Sequence, residues 1–148
     1  MLALSIVAPN GTRIATGRKT LEIRSWCPPR WPLRDLLIIE NHVFLTDEGQ
    51  ADPHGVAVAV IDVDDVHAWQ PSEQAAACAP EWRAGMWAWH VTNVRPVAAA
   101  RIFVARRKLY EIEVEAMFLV STPETWRHGP TGFRHFRQKF SCIPCDAP

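Results

Sequence analysis

The strongest constraint on the fold is strict alternation at residues 87–95, which read Trp-Ala-Trp-His-Val-Thr-Asn-Val-Arg. Successive side chains of a β-strand point to opposite faces, so Trp87, Trp89 and Val91 share one face. A second β-rich run at 56–63 alternates small alanines with branched residues, as a tightly curved sheet requires. The chain is therefore expected to fold around a curved sheet.

The remaining segments predict short strands and few helices. Further strands are predicted at residues 2–8, 20–25, 35–40 and 107–115. Short helices are predicted at 71–80 and 133–140, and a brief helix or turn at 10–17. Residues 27–32 predict an irregular loop, and residues 46–55 a polar hairpin or loop. Five or six strands on one core predict an α+β fold, a small mixed or antiparallel β-barrel flanked by short helices.

Length and composition predict one ordinary globular unit. The chain has 148 residues, 48% of them hydrophobic, which is enough for a single core. No apolar run approaches the roughly 20 residues that span a bilayer, and the apolar N-terminus lacks a basic flank. We therefore expect a cytoplasmic protein without a membrane partner.

The zero net charge conceals a segregation of charge along the chain. Residues 1–30 carry five basic and one acidic side chain, and residues 31–82 carry one basic and ten acidic. Residues 83–148 carry ten basic and five acidic side chains. The pattern indicates either a basic face for an anionic partner or segments that neutralise each other on folding.

No cofactor or metal site is expected from the motifs. Cys142 and Cys145 are the only close cysteine pair, and no second pair or suitably spaced histidines complete a zinc site. No Ser-His-Asp pattern or glycine-rich phosphate loop is present.

Residues 17–24, Gly-Arg-Lys-Thr-Leu-Glu-Ile-Arg, predict a functional site. Gly17 suits the end of a helix, and a strand-like run follows it at once. On that strand Glu22 and Arg24 point the same way, and Lys19 lies at the mouth of the turn. Three ionisable groups leaving one turn of a largely apolar chain are typical of a site.

The octet resembles the G-x-K-x-x-E-x-R signature of ASCH domains, relatives of the RNA-binding PUA domain. The segment Met86–Pro96 is similar to an aromatic strand and Asn-Val-Arg-Pro turn common in that family. The resemblance covers residues 2–115 and implies a PUA-like barrel domain over residues 1–115. Residues 116–148 are then a basic C-terminal extension packing on the same domain.

The resemblance implies a cleft formed by Lys19, Glu22, Arg24 and Trp89 that binds RNA or a modified nucleoside or nucleotide. An alternative is a hydrolase: an N4-acetylcytidine amidohydrolase or a single-strand ribonuclease using Lys19 and Glu22. Similar amidohydrolases have a Thr three residues after the signature Lys, whereas this chain has Glu22 there. That departure weakens the amidohydrolase interpretation.

Each candidate side chain has a functional and a structural interpretation. Lys19 either contacts the ligand or is an ordinary turn lysine, and Arg24 either binds phosphate or bonds to Glu22 or a carbonyl. Glu22 can act as a general base, accept a hydrogen bond from a base's amino group, or fix the strand end in a salt bridge. Trp26 and Trp89 either stack on bases or belong to the core.

Overall fold

The computed structural model describes residues 1–114, and these residues form mainly strands. The strands are β1 (Leu2–Val7), β2 (Leu21–Arg24), β3 (Leu33–Asn41), β4 (Ala51–Ala68), β5 (Trp87–Pro96), β6 (Ile102–Arg106) and β7 (Leu109–Glu111). The helices are α1 (Asn10–Ala15) and a 3₁₀ turn, Pro71–Glu73. The extension predicted at 116–148, its helix at 133–140, Cys142 and Cys145 lie outside the described residues.

The strands form one sheet in the order β2-β5-β4-β3-β1-β7, and β6 pairs with β4 beside this path. The pair β1–β3 is parallel and the other pairs are antiparallel. The predicted mixed α+β architecture is therefore confirmed. Over residues 1–114, strand pairing leaves β2 and β7 as edges, so closure into a barrel is not observed.

β4 organises the sheet because it is 18 residues long and pairs on both sides. One edge pairs with β3, while the other pairs first with β6 and then with β5. The strand predicted at 56–63 is shorter than β4. Residues 51–55 also belong to β4 and pair with β6. A register shift between Asp52 and Gly55 accommodates Pro53, which cannot donate to the ladder.

The core occupies both faces of the central strands. On one face Leu4, Ile38, Ile61 and Trp89 are at most 1% exposed, and Ile14 of α1 packs with them. A second cluster is formed by the neighbouring residues Ala3, Leu37, Ile39, Ala57, Val60 and Ala105. Burial on both faces explains why β3 carries the unbroken apolar run Leu-Leu-Ile-Ile.

The predicted helix at 71–80 was wrong, because only the 3₁₀ turn forms there. The Ala76 carbonyl accepts hydrogen bonds from the N–H groups of Thr20 and Leu21, at 3.0 and 3.3 Å. Pro80 has no N–H with which to continue a helical ladder to that carbonyl. The segment instead covers the open edge of β2.

The other predicted elements agree with the structure to different extents. The strands at 2–8, 20–25, 35–40 and 87–95, the short helix before Gly17 and the loop at 27–32 are confirmed. Gly17 has a φ of +72°, the left-handed conformation expected at a helix end. The strand predicted at 107–115 is shorter, since Arg107 and Lys108 form a turn before β7, and β6 was not predicted.

No helix among residues 1–114 is long and apolar enough to cross a membrane.

Candidate ligand-binding site

The octet at 17–24 places four charged side chains in β2 and in the turn just before it: Arg18, Lys19, Glu22 and Arg24. After Gly17 turns the chain, β2 runs antiparallel to β5, with Glu22 opposite Trp89 and Arg24 opposite Trp87. Lys19 lies in the turn that precedes the strand. The aromatic strand and the charged octet, distant in sequence, are thus direct neighbours in the sheet.

Glu22 forms ion pairs with two of the three cations of the octet, Lys19 and Arg24. Its Oε2 lies 3.4 Å from Lys19 Nζ, and its Oε1 lies 2.9 Å from Arg24 Nε. Lys19 and Glu22 are buried, with 5% and 6% exposure. An isolated charge at such a depth is costly, so each charged group requires its partner. We call Lys19, Glu22 and Arg24 the charge triad.

Backbone carbonyls fix both ends of the charge triad. Lys19 Nζ donates a hydrogen bond to the Ala77 carbonyl at 2.6 Å. Arg24 Nη2 donates a hydrogen bond to the Ser5 carbonyl at 2.8 Å. The triad therefore connects β2 to the 74–79 segment on one side and to β1 on the other.

An open cleft of about 460 Å³ lies beside the charge triad. Glu22, Arg24 and Trp26 form part of its wall. Its other walls come from the end of β1, the segment after β3 and the β6–β7 turn, and include Ser5, Asn10, Asn41, Phe44, Met86, Arg106, Arg107 and Lys108. We call it the large cleft, and its volume lies in the range of small-molecule pockets.

The structure divides the predicted site residues into two groups. Glu22, Arg24 and Trp26 line the large cleft, whereas Lys19 and Trp89 do not. Trp89 is 0% exposed and belongs to the core, which corrects the expectation that it lines the cleft. Its ring meets that of Trp26 edge to face, with centroids 4.9 Å apart, so Trp89 supports a cleft residue instead.

Sequence reasoning missed the side of the cleft opposite β2. Phe44 is 75% exposed at this side, and the turn 106–108 adds three exposed cations. The run Arg-Arg-Lys is visible in the sequence and could have been noted as a basic cluster. The proximity of this run to Glu22 could not have been predicted from the sequence, because that proximity depends on the pairing of β7 with β1.

A second, smaller cleft of about 310 Å³ lies on the other side of the same turn. Its lining consists of Glu48, Gly49, Gln50, Arg106, Arg107, Lys108 and Tyr110. We call it the small cleft. The three cations at 106–108 therefore belong to both clefts.

The described residues contain no group of three or more His, Cys, Asp and Glu side chains that could hold a metal ion. The chemistry available in the large cleft is that of a carboxylate, three arginines, a lysine, amides, hydroxyls and aromatic rings.

Asp62 is another buried charged residue, away from the large cleft, at a bulge of β4. It accepts hydrogen bonds from the Asp35 N–H, Asn93 Nδ2 and Arg95 Nη2, each at 3.0 Å. Desolvation raises the pKa of Asp62, but these hydrogen bonds and the charges of Arg95 and Arg34 outweigh it, so the net pKa is lowered.

His67 bridges two carboxylates near the end of β4. Its Nδ1 lies 3.0 Å from Asp65 Oδ2, and its Nε2 lies 2.8 Å from Glu73 Oε1. Desolvation lowers the pKa of His67, but the two carboxylates, Glu73 first, outweigh it and raise the net pKa above 6.5. The bridge ties β4 to the 3₁₀ turn that leads to the 74–79 segment.

Comparison with known proteins gives a family match. A family model described as "ASCH domain" matches residues 4–101. Among solved structures, the chain is similar to a tyrosine-to-phenylalanine mutant of ZmASCH from Zymomonas mobilis, with 12% identity and a TM-score of 0.43, covering 69% of this chain and 73% of that one. A serine-to-alanine mutant of ZmASCH gives 12% identity, a TM-score of 0.42 and coverages of 66% and 70%. No curated protein matches. Since the family match covers most of the chain and both sequence blocks of the site, the chain belongs to the ASCH domain family.

Proposed function

We propose that the large cleft binds one base of single-stranded RNA or of a nucleotide, with Glu22 accepting a hydrogen bond from the base's exocyclic amino group. The observation that carries this proposal is a buried carboxylate at the wall of an open cleft, held in place by two cations. The family match is consistent with a nucleic-acid ligand.

The two ion pairs leave Glu22 with acceptor capacity. A carboxylate has about four lone-pair sites on its two oxygens. Lys19 Nζ lies 3.4 Å from Oε2, and Arg24 Nε lies 2.9 Å from Oε1. The remaining sites serve a donor that enters from the cleft. Since both cations are also bound to backbone carbonyls, the carboxylate is held in position before the ligand arrives.

A carboxylate acceptor discriminates among bases. Cytosine presents an N4 amino donor where uracil presents the O4 acceptor, and acceptors do not bond to one another. A good side-chain pair of this kind contributes about 1–3 kcal/mol of discrimination against the wrong base. We therefore expect cytosine to bind more tightly than uracil.

Two aromatic side chains are placed to stack on the bound base or its neighbour. Trp26 is half-buried in the cleft wall, and Trp89 fixes the tilt of its ring. Phe44 is exposed at the opposite side. Base–aromatic stacking contributes roughly 1–3 kcal/mol per base.

The test is the affinity of fluorescein-labelled rC8 and rU8 for the wild type and for Glu22→Gln, measured by fluorescence anisotropy at 50 mM salt. The wild type is expected to prefer rC8 by about tenfold or more, which corresponds to roughly 1.4 kcal/mol. Glu22→Gln should lose this preference, because an amide offers both a donor and an acceptor. Glu81→Gln makes the same charge change on an exposed residue and should retain it.

Absence of rC8 and rU8 binding by the wild type at 50 mM salt would contradict the proposal, since phosphate contacts strengthen as salt falls. Equal affinity of the wild type for the two oligonucleotides would contradict the role of Glu22.

The position of Glu22 also supports a second candidate, hydrolysis of N4-acetylcytidine or of single-stranded RNA. A general base must lie within hydrogen-bond reach of the proton it removes, and Glu22 lines the cleft where a water and a substrate can meet. In amide hydrolysis the water would attack the acetyl carbonyl, the C–N bond would break, and the amine would take up a proton as acetate leaves. Lys19, held by Ala77 behind Glu22, would be a positioning residue.

This candidate is tested by incubating the protein with N4-acetylcytidine and with labelled RNA, with and without divalent metal. Turnover that is lost in Glu22→Gln and retained in Glu81→Gln would support hydrolysis. No turnover of either substrate would leave binding as the function of the cleft.

A further inference from the structure

We infer that the ligand is a polynucleotide rather than a free nucleoside, and that its backbone crosses the turn 106–108 from the large cleft into the small cleft. This inference rests on the proposed function of the large cleft. Arg106, Arg107 and Lys108, which we call the basic turn, line both clefts. An RNA strand with one base in the large cleft therefore passes these cations where its backbone runs toward the small cleft.

The basic turn is exposed and has no carboxylate partner among residues 1–114. Within residues 1–114, no Asp or Glu oxygen lies within 4 Å of its side-chain nitrogens. Five other cations do have a carboxylate partner: Lys19, Arg24, Arg34, Arg83 and Arg95. Glu48 lines the small cleft and belongs to no ion pair with the turn. Three adjacent cations without a counter-charge form a surface suited to successive phosphates.

The basic turn is held rigidly to the wall of the large cleft. The Arg106 N–H donates a hydrogen bond to Ser5 Oγ at 3.1 Å, and Ser5 Oγ lies 2.7 Å from the Tyr110 hydroxyl. Both ends of the turn thus converge on one hydroxyl of β1. The Ser5 carbonyl meanwhile accepts the hydrogen bond of Arg24. One residue therefore sets the distance between the base-binding carboxylate and the phosphate-binding cations.

A free nucleoside cannot make the phosphate contacts that the basic turn offers. Its base and sugar fit within the large cleft, and it carries no phosphate to meet the basic turn. A single-stranded chain satisfies both parts at once, because its backbone continues past the base. The phosphate contacts would also make its affinity dependent on salt.

The test compares rC8 with the nucleoside cytidine, for the wild type and for the triple variant Arg106→Gln, Arg107→Gln, Lys108→Gln. The matched control is Arg18→Gln, Arg30→Gln, Arg83→Gln, which removes the same charge from exposed positions elsewhere. Affinity for rC8 is measured by anisotropy between 50 and 200 mM salt, and cytidine binding by NMR titration.

For single strands, the slope of log affinity against log salt is about −0.7 per phosphate contact, so loss of three contacts should reduce its magnitude by about 2. The fall in rC8 affinity between 50 and 200 mM salt should then shrink by about 20-fold in the basic-turn variant. The control triple variant should keep the wild-type slope. In the basic-turn variant, cytidine, which carries no phosphate, should lose less affinity than rC8.

Two results would overturn this inference while leaving the proposed function intact. One is cytidine binding together with an unchanged rC8 slope in the basic-turn variant. The other is an equal loss of slope in the control triple variant. If the wild type binds neither cytidine nor rC8, the proposed function fails and the inference fails with it.

Discussion

Lys19 donates a 2.6 Å hydrogen bond to the backbone carbonyl of Ala77, a residue 58 positions away. This contact turns the lysine of the octet away from the large cleft and into the support behind Glu22. The 74–79 segment gives its carbonyls to Lys19 and to the edge of β2 in place of a helix. The same relationship explains why the predicted helix is absent and why Lys19 does not line the cleft.

Replacing Lys19 with Met should destabilise the protein. The change removes one partner of a buried ion pair and leaves the Ala77 carbonyl without its donor, at a cost of about 3–5 kcal/mol. Urea unfolding measures the loss, and amide exchange at Thr20 and Leu21 should quicken because the 74–79 segment loosens. Arg18→Met, at the exposed neighbouring position, is the control. A loss below about 1 kcal/mol for Lys19→Met, typical of an exposed pair, would show that Lys19 is not structural.

Ser5→Ala should uncouple the basic turn from the cleft wall. The variant keeps the carbonyl that binds Arg24 but loses the hydroxyl shared by Arg106 and Tyr110. We expect a loss of about 1–3 kcal/mol in stability and a fall in rC8 affinity that exceeds any fall in cytidine affinity. Ser72→Ala, on the exposed 3₁₀ turn, is the control. Equal loss of cytidine and rC8 binding would argue against separate base and phosphate regions.

Asp62 should stabilise the folded protein, and this stabilisation should be lost in acid. Because its folded-state pKa lies below the ordinary 3.8, its contribution to stability is fully present above that value. The contribution is lost as the pH falls through the lowered pKa. Urea unfolding of the wild type and Asp62→Asn between pH 3 and 6 measures it, and the difference should narrow at the acid end. Glu111→Gln, on an exposed residue, is the control. A difference that stays constant with pH would contradict this role.

His67 should make the protein less stable as the pH rises, the opposite of the effect of Asp62. Since its folded-state pKa is raised above 6.5, its stabilising contribution is fully present below pH 6.5 and is lost as the pH rises through the raised value. An NMR titration should show the pKa of His67 falling in Glu73→Gln, because one of its two carboxylate partners is neutralised. Glu48→Gln, on an exposed residue of the small cleft, should leave it unchanged. A pKa unaffected by Glu73→Gln would show that the bridge does not form in solution.

Sequence patterns located the strands well where apolar and polar side chains alternate over a short segment. The alternation at 87–95 and the octet at 17–24 gave β5 and β2 because each is a local signal. The 18-residue length of β4 was not predictable, since Pro53 and Gly55 normally interrupt a strand and only the bulge facing β6 accommodates them.

Only the part of the site that lies on one strand could be predicted from the sequence. Glu22 and Arg24 share a face of one strand, which alternation alone requires. Lys19 and Trp89 had the correct neighbours but lie behind the cleft, because burial depends on segments far away in the chain, such as 74–79. Phe44 reaches the cleft through the pairing of β3 with β1, and the basic turn reaches it through the pairing of β7 with β1. The position of such residues follows from topology, which no local pattern contains.

The most direct test of the central claim is a crystal structure of the protein with a bound cytosine-containing oligonucleotide such as rC8. We expect one cytosine in the large cleft, with its N4 amino group about 2.7–3.2 Å from a Glu22 carboxylate oxygen. We also expect the next phosphates to lie beside Arg106, Arg107 or Lys108. A cytosine bound elsewhere on the sheet, with Glu22 contacting only Lys19 and Arg24, would contradict it.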